Sequence, residues 1–88
     1  MPTVFIPTML LSITGGVKQL RVNGLSVREI VDELDQVYPG IKDRLTDAGS
    51  LKSNLAVSVD GEIAILGLLE RVSDDSEIHF VPAIGGGI

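Results

Sequence analysis

The residues best placed to do chemistry are the last six, Ala83-Ile84-Gly85-Gly86-Gly87-Ile88. Three successive glycines cannot pack a core, and ordering their backbone costs more entropy than ordering any other residue. Such a stretch reads as an extended, side-chain-free thread that can enter a narrow slot. The one reactive group a thread of this kind can offer is a terminal carboxylate. A carboxylate is unreactive toward nucleophiles at neutral pH, but adenylation converts it to an acyl-phosphate anhydride with a good leaving group. Without Cβ atoms, the acyl group can pass down a closed channel into a nucleotide site. Ile88 stands between the glycines and the terminus, so the thread is either a capped substrate or a frayed end.

The other candidates for chemistry are few. His79 is the single histidine, and there is no cysteine. A zinc site needs three or four N, S or O ligands, and a nucleophile–base dyad needs a nucleophile beside the imidazole. His79 is therefore read as an edge-facing strand residue. The glycine run is not a phosphate-binding loop, because it follows the last strand and no helix comes after it. No enzyme active site and no metal site are legible. The chain is not expected to be an enzyme.

Stepping outward along the chain, residues 3–12 are rich in Val, Ile, Leu and Phe and predict a buried strand with an irregularity at Pro7. Gly15-Gly16 signals a turn, and Val17-Lys18-Gln19-Leu20-Arg21-Val22 resumes strand spacing, so the two form a β-hairpin. Ser26-Val27-Arg28-Glu29 is a capping box. Val27, Ile30, Val31, Leu34, Val37 and Tyr38 follow at three- and four-residue intervals, one apolar stripe of an amphipathic helix that Pro39-Gly40 stops. The stripe leaves Arg28, Glu29, Asp32, Glu33, Asp35 and Gln36 on the wet side, which argues against reading those carboxylates as an acid/base pair. Residues 41–54 read as a turn of helix plus loop. Leu55-Ala56-Val57-Ser58-Val59 alternates as a half-buried strand, Asp60-Gly61 is a tight-turn dipeptide, and a short strand covers residues 62–65. Residues 67–72 read as a loop with a helical turn. Glu77-Ile78-His79-Phe80-Val81-Pro82 is the last strand, with Ile78 and Phe80 inward and His79 and Val81 outward. A last strand inserted beside the first completes an α+β fold, the β-grasp arrangement: a mixed sheet with one main helix packed on it. The domain covers residues 1–82, and residues 83–88 form a flexible glycine-rich tail.

Composition agrees. Eighty-eight residues make one small domain, and chains near this size bury only ~60–65% of their unfolded surface. Aromatics are 3% (Phe5, Tyr38 and Phe80), so the core is built from Val, Ile and Leu. The lack of cysteine excludes disulfides and thiolate sites and fits a reducing cytoplasm. No Lys or Arg precedes Lys18, so no basic-then-apolar secretion signal is expected. The run Val4 to Leu11 is far shorter than the ~20 residues that span a bilayer. The first 59 residues hold six acids and six bases. The net charge of −5 resides in Asp60, Glu62, Glu70, Asp74, Asp75 and Glu77, opposed by Arg71 alone. These acids are either solvated turns and strand edges or an acidic neck beside the tail that steers docking onto a basic partner. Nucleic acid is a poor partner for a chain without clustered bases.

The chain resembles the MoaD/ThiS family of ubiquitin-like sulfur carriers over essentially its whole length, nearest to the cysteine/methionine-synthesis type. Ile6-Pro7-Thr8 followed by Thr14-Gly15-Gly16 is similar to the opening hairpin of those carriers. The stretch from Val72 through Asp74-Asp75, the final strand, Pro82 and the glycines is similar to the family's acidic turn, last strand and terminal Gly-Gly. The resemblance implies that the terminal glycine is adenylated by a ubiquitin-activating-type enzyme of the MoeB/ThiF kind, which uses ATP, and becomes a thiocarboxylate. A sulfur-accepting enzyme then takes the sulfur for cysteine, methionine or a sulfur-containing cofactor. By position Gly86-Gly87 is the pair, Gly85 is the small residue before it, and Gly87 is the residue activated. Ile88 departs from the pattern, and the resemblance implies a precursor from which a JAMM-type metalloprotease cuts Ile88. The strand alternation places Phe5 and Val81 outward on one sheet face, which with Pro82 is the expected docking surface. Two alternatives stand beside this reading: a ubiquitin-like modifier conjugated through Gly87, and a β-grasp binding module with an inert tail.

Overall fold

The opening apolar stretch folds in two different ways, and Pro7 is where they divide. In the computed structural model, which describes residues 1–83, strand β1 is Thr3–Phe5. After Pro7 the chain winds into a 3-10 turn, Thr8–Leu10, and helix α1, Leu11–Thr14. The expected strand to residue 12 is thus cut to three residues. Met9-Leu10-Leu11-Ser12-Ile13-Thr14 has no period-two alternation, and it buries Leu10 and Thr14, one helical turn apart. Thr14 Oγ1 donates to the Val17 carbonyl at 2.9 Å, and Gly15 closes the helix in the left-handed region at φ 67°. Strand β2, Gln19–Arg21, then pairs antiparallel with β1, Val4 facing Leu20. The expected pairing holds, joined by a helical connection instead of a tight hairpin.

Helix α2, Val27–Val37, carries the predicted capping box: Ser26 Oγ accepts from Glu29 N–H at 3.3 Å, and Glu29 Oε1 accepts from Leu25 N–H at 3.0 Å. A cap of this kind is worth ~1 kcal/mol. Val27, Ile30, Val31 and Leu34 are buried, but Val37 is 54% exposed. At ~100° per residue, Val37 lies roughly 80° off the centre of the stripe, and the helix ends there. Gly24 allows the approach to this helix, since a Cβ there would sit 2.8 Å from Ile30 Cδ1 and 3.1 Å from Ile30 N.

The polar side of α2 is structural. Asp35 Oδ1 accepts from the N–H groups of Gly40 and Lys42 and so fixes the start of helix α3, Ile41–Leu45. Lys42 Nζ donates to Asp32 at 2.7 Å, and that hydrogen bond holds the lysine's pKa above its ordinary value. Residues after α3 form a two-stranded hairpin, β3 (Thr46–Asp47) and β4 (Ser50–Leu51), where a loop was expected. Its turn places Ala48 at φ 53° and Gly49 at φ 82°. Alanine at positive φ gives no sequence signal of such a turn.

Strand β5, Leu55–Val59, turns at Asp60-Gly61 into β6, Glu62–Ile63, which is shorter than expected. A 3-10 turn, Gly67–Leu69, and the last strand, β7, Glu77–Pro82, complete the chain. The sheet order is β2-β1-β7-β5-β6. β7 runs parallel to β1 and antiparallel to β5, the mixed β-grasp arrangement. Val4, Val57, Ile78 and Phe80 of the sheet face Ile30, Val31 and Leu34 of α2 and Ile41 and Leu45 of α3 in one aliphatic core. Each such side chain contributes ~1.5–3 kcal/mol on burial. Among the described residues no helix is long and apolar enough to cross a membrane.

Candidate docking face and tail exit

β7 is the central strand, so Ala83, the last described residue, lies at the middle of the sheet's end. Leu55 opposes Pro82, and Ala83 N–H donates to the Asn54 carbonyl at 2.9 Å. The backbone therefore stays paired one residue past Pro82 and does not leave the sheet at Val81-Pro82. Gly85, Gly86, Gly87 and Ile88 lie outside the described residues.

Alternation places Phe5, His79 and Val81 on the sheet surface away from α2. Val4, Ile6, Ile78 and Phe80 are buried on the other side, as the pattern predicted. Phe5 and Val81 are half-buried, not fully exposed. The cause is visible in the register: Phe5 aligns with His79 across the parallel β1–β7 pair. The two rings stack with centroids 4.1 Å apart and planes 4° apart. His79 is thus on the central strand, not facing an edge as expected. A row of paired residues crosses this face: Gln19, Phe5, His79, Ser58 and Ile63. Ala56 and Ser58 are small, which leaves the ring stack standing above its neighbours on the β5 side, and Ile63 closes the row at 58% exposure. Pro82 has the parity of Phe80, so it belongs to the opposite face and is exposed only because the sheet ends there. Sequence reasoning missed the aromatic stack; the signal for it was two outward rings on strands expected to be neighbours.

The acidic residues are not beside Ala83, where the described chain ends. Asp60 N–H donates to the Glu77 carbonyl, and Asp60 Oδ1 and Oδ2 accept from Glu77 N–H at 2.9 Å and Ser76 Oγ at 3.1 Å. The amino terminus lies 3.9 Å from Asp74. Asp60, Asp74, Asp75 and Glu77 therefore gather where β7 begins, ~17 Å along the strand from its other end. Of the two readings of these acids, the one as solvated turns and strand edges fits, and the acidic neck does not: they form a pole at the opposite end of β7 from Ala83. Ala83 is flanked instead by the segment before β5, where Asn54 accepts from Ala83 N–H and the Lys52 carbonyl accepts from Leu55 N–H. Among the described residues no group of three or more His, Asp or Glu gathers as a metal site.

Comparison with known proteins matches this arrangement. A family model described as the ThiS family matches residues 4–87. The sulfur carrier protein CysO of Mycobacterium tuberculosis is 32% identical over 90 residues, covering 97% of each chain. In the crystal structure of the Amycolatopsis orientalis BexX/CysO complex, a matching chain is 36% identical with a TM-score of 0.90, covering 99% of this chain and 100% of that one. The crystal structure of SAMP1 from Haloferax volcanii is 26% identical with a TM-score of 0.71, covering 98% of each chain.

Proposed function

This chain belongs to the ThiS family and is a sulfur carrier, and we propose that the atom it activates is the carbonyl carbon of Gly87, freed when Ile88 is cut away. Water adds across the Gly87–Ile88 peptide bond in the site of a JAMM-type metalloprotease, releasing isoleucine and a Gly87 carboxylate. In a MoeB/ThiF-type enzyme a carboxylate oxygen attacks the α-phosphorus of ATP and pyrophosphate leaves. Hydrosulfide then attacks the acyl carbon and AMP leaves, so the carbonyl keeps one oxygen and gains one sulfur as the thiocarboxylate. A sulfur-accepting enzyme of cysteine, methionine or sulfur-cofactor synthesis takes that sulfur. The carrier is a cosubstrate in the cytoplasm and not itself an enzyme.

The chain's own residues present the tail and dock the domain. The observation that carries the reading is the central strand β7, kept paired past Pro82 by the Ala83 N–H to Asn54 carbonyl bond, two residues before the glycines begin in the sequence. Gly85, Gly86 and Gly87 supply a stretch that a closed channel can admit. Phe5 and Val81, on one face of the sheet, are the docking residues, Pro82 lies at the sheet end on the other face, and the existence of a complex containing a similar chain supports a protein partner.

The test is intact-mass measurement after incubation with the protease, the adenylating enzyme, ATP and sulfide. Loss of one isoleucine followed by exchange of one oxygen for sulfur is expected. Thiocarboxylate formed on a chain that retains Ile88 would refute the processing step. Likeness to the SAMP1 structure favours a second reading, in which processed Gly87 forms an isopeptide with a target lysine. Conjugates on a blot without thiocarboxylate would select it, and unchanged function after deleting residues 86–88 would mark the tail as inert.

A further inference from the structure

A second apolar surface lies on the helix side of the sheet, away from Phe5 and His79. The connection after β6 exposes Ile65 at 94%, Leu66 at 62% and Leu69 at 65%, and Leu25, just before α2, is 59% exposed. A depression of about 430 Å³ runs along Ile65, Leu66 and Leu69 to Arg28. A second, of about 380 Å³, continues from Leu69 to Leu25 and Arg71. The two share Leu68, Leu69 and Arg28, so the patch is continuous. Its four exposed aliphatic residues, Leu25, Ile65, Leu66 and Leu69, together present ~500 Å², within the range of the largest patch on a monomer, which is often functional.

We propose that this patch is a self-complementary contact through which two copies of the chain associate reversibly. Charge is the first argument. The chain carries −5, yet the lining of this patch carries both signs, Arg28 and Arg71 with Glu29. A two-fold contact requires that one surface complement itself, and alternating signs around an apolar centre do so. Neither arginine is in a salt bridge among the described residues, so each is available to a carboxylate of the second copy.

Area is the second argument. Two such patches bury ~1,000 Å² together, the lower bound for a specific interface, which makes the dimer weak and transient. The geometry is permissive. The 3-10 turn that carries Leu69 packs on α2 and β4, so the contact leaves the opposite sheet face and the exit at Ala83 open. Each copy in the pair can still be loaded and unloaded. Since both copies are acidic, their mutual repulsion is screened as salt is added, and association strengthens with ionic strength.

Sedimentation equilibrium of the full chain, from micromolar to ~1 mM, tests this. The mean mass is expected to rise above 9.3 kDa with concentration, more steeply at ~0.5 M than at ~0.05 M salt. Ile65→Lys, at a position too exposed to affect folding, and Leu66→Asp are each expected to weaken association at least ~10-fold. Concentration-dependent amide shifts are expected at residues 25, 65, 66 and 69. A mass of 9.3 kDa throughout would overturn the proposal, as would association that survives both substitutions. Shifts confined to Phe5, His79 and Ile63 would place the contact on the sheet face instead. Patch shifts that disappear on deleting residues 84–88, at constant monomer mass, would make the chain's own tail the occupant.

Discussion

Phe5→Ala separates what the ring does for the fold from what it does for a partner. The ring is half-buried and stacked on His79 at 4.1 Å. An aromatic side chain covers ~150–250 Å² when fully buried, so about 100 Å² is at stake, or ~2.5 kcal/mol at ~25 cal/mol/Å². Alanine retains part of that, while the lost stack adds ~0.5–1.5 kcal/mol, and the net cost is ~2 kcal/mol. For a domain of this size the melting temperature is expected to fall by ~8–16 °C. An aromatic anchor at the centre of an interface is worth ~2 kcal/mol or more, and thus ~30-fold in affinity. The assay is a thermal melt followed by calorimetric titration with the adenylating enzyme, at a temperature where both variants are folded. A destabilised variant that binds within twofold of the parent would refute the docking role of this face. An unchanged melt would instead refute the burial reasoning, and Phe5→Leu, which keeps apolar area without the stack, apportions the two contributions.

Two other expectations follow from the acidic pole. Asp60→Ala removes the acceptor for Ser76 Oγ and Glu77 N–H and leaves a non-glycine residue at φ 53°; it is expected to cost ~2–3 kcal/mol, read as a urea midpoint lowered by ~2 M, and a shift below ~0.5 M would sink the claim. Asp74→Asn combined with Asp75→Asn is expected to change affinity for the adenylating enzyme less than ~3-fold at physiological salt, because the pole is farther from the tail exit than the ~8 Å screening length; a tenfold loss would reinstate acidic steering of the docked end.

Strand β7, the capping box, the core stripe through Leu34 and the Asp60-Gly61 turn were legible because each follows from side-chain period or cap chemistry. The helical excursion after Pro7 was not, since an unbroken apolar run carries no period to separate strand from helix. Val37 joined the stripe on paper because spacing shows which side a residue faces, not where the helix stops. The β3–β4 hairpin was hidden by alanine in a left-handed turn. For the candidate site, alternation assigned Phe5 and Val81 to one face. It could not place the acids, because nearness to the tail in sequence is not nearness in space: the residues just before β7 and those at its end are separated by the strand itself. Nor could it show that His79 lies at the centre of the sheet, which depends on the order β1-β7-β5 and so on pairing between chain ends.

That order also decides how the molecule bears load. β7 is held along both edges, by β1 and β5, and its pairing extends to Ala83, the residue from which the tail is drawn. A partner that draws the thread into a channel pulls along the strand, so the hydrogen bonds on both flanks are sheared together and must fail at once. An edge strand ending in the same glycines would peel open one pair at a time. The domain therefore works as an anchor that can be tugged by its tail without unravelling.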